Sequence, residues 1–140
     1  MVINWLLSGV GHPSWVIDMN YHEIPMLSGV YLEDSYVLAV REYDCQCVFE
    51  LDVVLKEDHP SYRTPHTGEQ YCYKKASLIF SGASTVEWIC KSFIQFFDAA
   101  GENDYGNIDS FTIDGNCCSL DGDWGSVKIV CSSIELSLDN

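Results

Sequence analysis

Apolar and polar residues alternate along several short segments, and this period of two constrains the fold more than any other feature of the chain. Between 45 and 55, one set of alternate positions is apolar: Cys45, Cys47, Phe49, Leu51 and Val53. Because successive side chains of a strand point to opposite faces, this pattern predicts a strand with one buried face. The same alternation recurs at 127–131 and 134–138. The chain is therefore expected to form β-sheets whose apolar faces make up the core.

Tight-turn sequences separate the strand-like segments of the last third of the chain. Asp114-Gly115 is a strong two-residue hairpin signal between strands expected at 108–113 and 117–120. Asp121-Gly122 and Ser132-Ser133 are expected to turn the chain again. Short strands joined in this way predict an antiparallel meander. The predicted fold class is mainly β: a single domain over 1–140, an antiparallel sandwich or curled sheet with at most one or two short helices.

Upstream of this meander the β signal is more interrupted. A short strand is expected at Trp15–Asp18, within an irregular N-terminal stretch. Segments 30–32 and 36–40 are rich in strand-forming residues, and the polar residues 33–35 between them predict a turn. Prolines and a glycine predict a long loop over 56–69. These signals extend the β-rich interpretation to most of the chain.

Residues 84–97 fit two patterns. The helical spacing i, i+3, i+4, i+7 is met by Val86, Ile89, Cys90, Phe93, Ile94 and Phe97. Ser84 with Glu87 could form a capping box at the start of such a helix. However, Val86, Trp88 and Cys90 also alternate, and the segment is rich in β-branched and aromatic residues. Helix and strand both stay open here.

The charge balance narrows the possible partners. The 140 residues contain 21 acidic and 7 basic side chains, a net charge of −14. Nucleic-acid binding is disfavoured, because phosphate contacts need a Lys/Arg surface. An anionic membrane surface is disfavoured for the same reason. No apolar stretch approaches the ~18 residues of a membrane span.

The N-terminus and the cysteines predict a cytoplasmic protein. No Lys or Arg precedes the short apolar run at 1–10, so a secretory signal peptide is not expected. The cysteines are odd in number, at seven, and most lie in strand-like runs. We therefore expect reduced thiols that form no disulfide.

Two stretches of the C-terminal half carry a resemblance. Residues 101–109 contain Asp-Tyr-Gly-Asn-Ile-Asp, and 120–125 contain Gly-Asp-Trp-Gly. In this the chain resembles a group of small uncharacterised bacterial proteins, and segments 59–62 and 68–73 look like part of the same pattern. The resemblance covers about 59–130. It implies a β-rich fold, favours strand for the segment around Val86–Trp88, and implies no catalytic residue.

The acidic residues of the last third are the candidate functional residues. Residues 98–140 hold nine acids and one base, Lys128. Asp104 and Asp109 come from one loop and Asp121 and Asp123 from another, and a meander could bring these loops together. They could bind a basic protein partner or a Ca²⁺ ion, although Asp is also common in turns for its own hydrogen bonds. Trp124, in a Gly-flanked turn, is either a partly exposed partner anchor or a plug at the end of the sheet.

Signatures of known catalytic or zinc sites are missing from the sequence. It contains no nucleophile elbow, Walker loop, dinucleotide fingerprint or His-Glu-x-x-His helix, and Cys45-Gln-Cys47 lacks zinc spacing. His59 and His66 flank a Pro-containing loop and are expected to face solvent. We assign no catalytic residue and expect no cofactor.

These observations favour a non-enzymatic interaction module that binds a basic protein partner, as immunity proteins bind basic toxins. The candidate contact residues are Asp104, Asp109, Asp121, Asp123 and Trp124. Two alternatives stay open. One is a Ca²⁺- or small-ligand-binding β-sandwich, and the other is a hydrolase that uses loop carboxylates such as Asp121 and Asp123 as general acid and base.

Overall fold

Strands make up most of the described part of the chain. The computed structural model describes residues 2–4, 19–93, 96–97 and 103–139. In chain order, the strands in these residues are β1 (Val2–Asn4), β2 (Met19–Asn20), β3 (Val30–Tyr43), β4 (Gln46–Leu55), β5 (Cys72–Ser81), β6 (Thr85–Lys91), β7 (Phe96–Phe97), β8 (Asn103–Asp104), β9 (Ile108–Asp114), β10 (Cys117–Gly122), β11 (Gly125–Val130) and β12 (Ser133–Leu138).

The strands form two five-stranded antiparallel sheets. Sheet A has the order β1-β12-β5-β4-β3, and sheet B has the order β2-β9-β10-β11-β6. Strands β7 and β8 form a separate two-stranded pair. The inward side chains of both sheets form one buried hydrophobic cluster, which is the arrangement of a β-sandwich. The predicted mainly β, antiparallel fold class is confirmed.

Strand β4 shows why the alternating pattern produces this core. Cys47, Phe49, Leu51 and Val53 are each no more than 1% exposed, and all belong to the central hydrophobic cluster. Cys45, the first residue of the predicted face, does not follow them. It lies in the turn between β3 and β4, where Tyr43 pairs with Gln46, and it is exposed.

Strand β3 runs through the residues 33–35 that were expected to form a turn, so that prediction is wrong. The pairing of β3 with β4 shifts register between Tyr31 and Tyr36. Within this irregular stretch the buried Ser35 hydroxyl donates to the Tyr31 carbonyl at 2.7 Å and accepts from the Val54 amide at 2.9 Å. The hydroxyl thus supplies hydrogen bonds that the interrupted ladder lacks, and the strand continues as a bulge.

The predicted meander is present, with its turns displaced along the chain. The β9–β10 turn consists of Gly115 and Asn116, because Asp114 already pairs with Cys117. Strand β10 continues through the predicted Asp121-Gly122 turn, and the chain reverses at Asp123-Trp124. Gly122 and Gly125 form the last pair before that reversal.

Residues 85–91 form a strand, which decides between the two patterns seen in the sequence. Val86 pairs with Ile129 and Trp88 with Val127, and both partly buried side chains pack against the core. Three residues of the helical stripe are exposed: Ile89 at 59%, Phe93 at 37%, and Cys90. Alternation therefore outweighs helical spacing, because β11 offers an edge that hydrogen-bonds the segment.

The other segments that the structure describes are short turns and one long loop. Short 3-10 turns occupy Tyr21–Glu23 and Pro25–Leu27. The predicted loop over 56–69 is present, and β5 begins at Cys72. The strand expected at Trp15–Asp18 lies outside the described residues. Within the described part of the chain, no helix has the length and apolarity needed to cross a membrane.

Two glycines support the β10–β11 hairpin for different physical reasons. Gly125 has φ +136°, and an added Cβ would lie 2.2 Å from the Cys90 carbonyl oxygen. At Gly122 an added Cβ would lie 2.1 Å from the Asn107 carbonyl oxygen and 2.4 Å from Trp124 Nε1. Gly125 therefore needs both an unusual φ and space, whereas the Gly122 requirement is space alone.

Substituting alanine at these glycines should destabilise the domain. We expect Gly125→Ala and Gly122→Ala each to lower the free energy of unfolding by about 2 kcal/mol, from backbone strain or overpacking. Gly68→Ala is the matched control, because Gly68 has φ +88° but nothing within 4 Å of an added Cβ. It should cost no more than about 1 kcal/mol. Denaturant unfolding measures all three, and equal losses would contradict the packing argument.

The thiols should divide into two reactivity classes. The structure holds no disulfide among the cysteines, all of which lie in the described residues. Cys45 and Cys90 are exposed, whereas Cys47, Cys72, Cys118 and Cys131 are buried. Burial also raises the pKa of Cys47 to about 12, which suppresses the reactive thiolate.

An aromatic disulfide reagent should therefore label Cys45 and Cys90 of the native protein within minutes. The four buried thiols should react only after unfolding, with the half-buried Cys117 at an intermediate rate. Denaturing, non-reducing titration should then find seven thiols in protein from a reducing compartment. Fast labelling of Cys118 in the native state would contradict the burial seen here.

Candidate functional site

The predicted acidic residues border two neighbouring loops at one edge of the sandwich, but only Asp123 lies within a loop. Asp104 belongs to β8, Asp109 to β9 and Asp121 to β10, so the expectation that all four come from loops is corrected. The loop before β9 is held against sheet A by two backbone hydrogen bonds, Val37 N–H to the Gly106 carbonyl and Tyr105 N–H to the Val37 carbonyl, each 2.8 Å long. The second loop is the β10–β11 turn of sheet B. The first loop therefore connects β3, an edge strand of sheet A, to the start of β9 in sheet B.

Gly106 is the point where the two loops meet. Its N–H donates to Asp104 Oδ1 at 2.8 Å, an interaction typical of an Asx-type turn. On its other side, a Cβ at Gly106 would lie 2.4 Å from Asp123 Oδ2. Gly106 also has φ +95°, which favours glycine. Asp104 and Asp123 thus flank one glycine that tolerates their close approach.

Asp121 is oriented by two serines on the adjacent strands. It pairs with Ser110 on β9 and with Ser126 on β11. The Ser110 hydroxyl donates to Asp121 Oδ2 at 3.0 Å, and the Ser126 hydroxyl donates to Asp121 Oδ1 at 2.5 Å. Neutral donors therefore hold this carboxylate outward on the exposed face of sheet B.

Asp109 completes the group. Partial desolvation raises the pKa of its carboxyl above the ordinary value, and the negative charges of Asp123, Asp121 and Glu33 raise it further. Glu33 is brought to this edge by β3, where its carbonyl accepts a hydrogen bond from the Asn107 side chain. We call the carboxylates of Asp104, Asp109, Asp121 and Asp123 the acidic edge.

The ion pairs of the described residues leave the acidic edge unneutralised. All seven Lys and Arg residues lie in the described part of the chain. The pairs found there are Arg41–Glu50, Arg63–Glu69, Lys75–Asp52 and Lys91–Glu42. Lys128 lies on the same sheet as Asp121, opposite Ser119. No ion pair within the described residues reaches any of the four edge carboxylates.

Trp124 is buried, so its predicted role as a partner contact is corrected. The side chain is 0% exposed. Its ring contacts Phe49 at 5.2 Å and Trp88 at 5.9 Å between ring centroids, and its Nε1–H donates to the Asn107 carbonyl at 2.9 Å. The alternative interpretation, a plug at the end of the sandwich, describes what the structure shows. Trp124 supports the acidic edge from beneath.

Sequence reasoning missed several residues that build this edge. Ser110 and Ser126 orient Asp121, Asn107 accepts the indole N–H, and Glu33 adds a fifth carboxylate. The register of the meander could have indicated the two serines, because both lie directly across from Asp121. No pattern in the sequence linked Glu33 to the last third of the chain, since 74 positions separate it from Asn107.

Candidate metal ligands and the two loop histidines, His59 and His66, lie in the described part of the chain. No group of three or more His, Cys, Asp or Glu side chains among the described residues is placed to hold a metal ion. His59 is half-buried, its Nδ1 accepts the Ser61 N–H at 3.0 Å, and burial lowers its pKa. His66 is exposed. The expectation of a solvent-facing histidine therefore holds for His66, while His59 supports the fold of the loop.

Comparison with known proteins adds no identity. No protein-family model, no curated protein and no solved structure matches the chain.

Ionisation of Asp109 should cost stability. Because the folded state raises the pKa of this carboxyl, the charged form is disfavoured by folding, and the penalty grows as pH rises through the ordinary aspartate range near 4. Asp109→Asn should therefore stabilise the domain at pH 7, by less than about 1 kcal/mol for so exposed a group. At pH 2.5, where the carboxyl is protonated in both states, the gain should vanish.

Asp114→Asn is the matched control, because Asp114 is exposed at the opposite end of β9. Thermal unfolding at pH 7 and pH 2.5, each at low salt and at 0.5 M salt, separates the two variants. Added salt should shrink the Asp109→Asn gain by screening the neighbouring charges. A gain that is the same at both pH values would show that it does not come from ionisation.

Proposed function

We propose that this protein is an interaction module whose acidic edge binds a basic surface on a protein partner. The observation that carries the proposal is the concentration of Asp104, Asp109, Asp121 and Asp123 on one edge, where no ion pair with a described residue neutralises them. Like charges held close together destabilise the free protein. A partner that supplies Lys or Arg would relieve this repulsion and form new ion pairs, and both effects would favour the complex.

The way the carboxylates are held supports this function. Asp121 is oriented by two serines, and Asp104 by the Gly106 amide. Pre-oriented acceptors lose little conformational entropy when an Arg or Lys side chain arrives. Behind them, the buried Trp124 donates a hydrogen bond to the Asn107 carbonyl, which ties the β10–β11 turn to the loop before β9.

The net charge of −14 would speed association by attracting a basic partner before the two proteins touch. A strongly negative surface attracts a basic protein over a distance comparable with the screening length of the solution, about 10 Å at 0.1 M salt. The partner class we propose is a basic toxin or nuclease that the domain masks, by analogy in size and charge with immunity proteins.

We also propose a cytoplasmic location, supported by the four buried thiols and the absence of a disulfide among the seven cysteines, which suit a reducing compartment.

The proposal is tested with two variants of equal net charge. The edge variant replaces Asp104, Asp109, Asp121 and Asp123 by Asn. The control variant replaces four exposed acids outside the edge by Asn, namely Asp44, Asp58, Asp114 and Asp139. Asparagine keeps one acceptor oxygen for the hydrogen bonds of Asp104 and Asp121, and comparing thermal unfolding of the two variants checks that both are folded.

Each immobilised protein is incubated with lysate of the source organism, and the retained proteins are quantified by mass spectrometry. We expect at least one basic protein to be retained by the parent and the control variant but lost from the edge variant. Its association rate with the parent, measured by stopped flow, should fall at least about tenfold between 0.05 and 0.5 M salt. Equal retention by both variants would assign any binding to bulk charge and contradict the role of the edge.

A further inference from the structure

A pocket at the end of sheet A is lined by none of the four residues of the acidic edge. The loop 56–71 folds back over the end of sheet A where Tyr31 pairs with Val54 and Leu55 pairs with Cys72. An open pocket of about 470 Å³ lies between this loop and the strand ends. Its volume falls in the range of small-molecule sites, roughly 300–1,000 Å³.

Three tyrosines, Tyr31, Tyr62 and Tyr71, line this pocket, and each makes contacts elsewhere in the fold. Tyr62 packs against the hydrophobic core. The Tyr71 hydroxyl accepts a hydrogen bond from the Gln70 side chain at 3.5 Å, and its ring meets the Tyr73 ring edge-on at 6.2 Å. The Tyr31 ring lies 5.8 Å from Lys56 Nζ. We call the site lined by Tyr31, Tyr62, Tyr71, Lys56, Glu57 and Gln70 the tyrosine pocket.

The polar groups around these rings include both donors and acceptors. Lys56 is a donor, Glu57 an acceptor, and Gln70 carries one group of each kind. The hydroxyls of Tyr31 and Tyr62 make no hydrogen bond within the described residues, and each can donate or accept. The floor, by contrast, is apolar, since Leu55 and Cys72 are 2% and 1% exposed. The pocket thus joins apolar ring faces to a mixed polar rim.

This combination excludes several ligand classes. A hydrocarbon chain would leave the rim groups without partners at an unfavourable desolvation cost. A cation is opposed by Lys56 over the Tyr31 ring, and an anion by Glu57 and the net charge of −14. A proline-rich peptide suits aromatic grooves, but proline has no backbone N–H, so its proline positions would offer Glu57 no donor.

We propose that the tyrosine pocket binds a neutral carbohydrate. A sugar ring presents C–H faces that stack on aromatic rings, whose negative faces attract them. Its edge carries hydroxyls that both donate and accept, so one ligand can satisfy Lys56, Glu57 and Gln70 together. Lys56 and Glu57 balance in charge, which suits an uncharged ligand. The site lies outside the acidic edge and does not depend on the function proposed for that edge.

The first experiment titrates the ¹⁵N-labelled full chain with neutral hexasaccharides: cellohexaose, xylohexaose, mannohexaose, maltohexaose and chitohexaose, each to 10 mM. Decaproline and a heparin hexasaccharide are run in parallel as a peptide and an anionic probe. At least one neutral sugar should shift amide resonances around Tyr31, Lys56 and Tyr71 and leave those of the acidic edge in place. If all five leave the pocket resonances unmoved, or if either other probe binds there more tightly, the proposal is wrong.

The second experiment separates ring stacking from folding defects. Tyr62→Ala and Tyr71→Ala should each lower the affinity for the sugar at least about tenfold, because the contact between the tyrosine ring and the sugar is lost. Tyr31→Phe and Tyr62→Phe keep the rings and remove hydroxyls that have no hydrogen-bond partner among the described residues. These variants should stay folded and bind the sugar roughly 3- to 10-fold more weakly. Tyr43→Ala removes a ring that is 57% exposed at the far end of β3 and should bind as the parent does. Equal weakening by Tyr43→Ala, or full affinity in both phenylalanine variants, would overturn the assignment.

Discussion

Aromatic packing between the two sheets is the interaction on which the rest of the structure depends. Phe49 of sheet A contacts Trp124 of the β10–β11 turn at 5.2 Å and Phe80 at 5.9 Å, and Phe80 in turn contacts Phe111 of sheet B at 5.8 Å. Large rings bury the most apolar area per residue and prefer such edge-on and tilted contacts. Because the indole of Trp124 is drawn into this core, the adjacent Asp123 must face outward, beside Gly106. The acidic edge is thus a consequence of how the core closes.

The irregular part of β3 links the two surfaces for which we propose functions. A regular strand would hold 33–35 in the ladder with β4. Here the Ser35 hydroxyl replaces part of that ladder, and the neighbouring carboxyl groups serve different sides of the molecule. Glu33 adds its negative charge to that of the acidic edge near Asp109, and Asp34 raises the pKa of the Tyr71 hydroxyl in the wall of the tyrosine pocket. A bulge that re-aims side chains in this way is a common feature of strands next to functional sites.

Local patterns in the sequence predicted the elements of the fold but not all their limits. The alternation at 45–55 identified β4 and its buried face, and the Gly-containing pairs of the last third identified a meander. The turn expected at 33–35 was wrong, because polar composition does not reveal that a serine hydroxyl can replace ladder hydrogen bonds. The β9–β10 turn moved by one residue, since register is decided by which apolar side chains reach the core. Residues 84–97 fitted both a helical and a strand pattern, and only their pairing with β11 shows that 85–91 form a strand.

The sequence by itself determined a β-rich chain with alternating buried positions, a strongly negative charge, and acidic residues concentrated in the last third. These properties follow from composition and short-range spacing, which need no knowledge of contacts. Only the tertiary structure decided that Trp124 is buried, that Glu33 joins Asp109, and that Tyr31, Tyr62 and Tyr71 surround one pocket. Each of these relations joins residues that are separated in the chain. The first two depend on the packing of one sheet on the other, whereas the pocket depends on the loop 56–71 folding back over the end of sheet A. Side-chain volume and hydrogen bonding across the sandwich select among arrangements that the local pattern leaves equivalent.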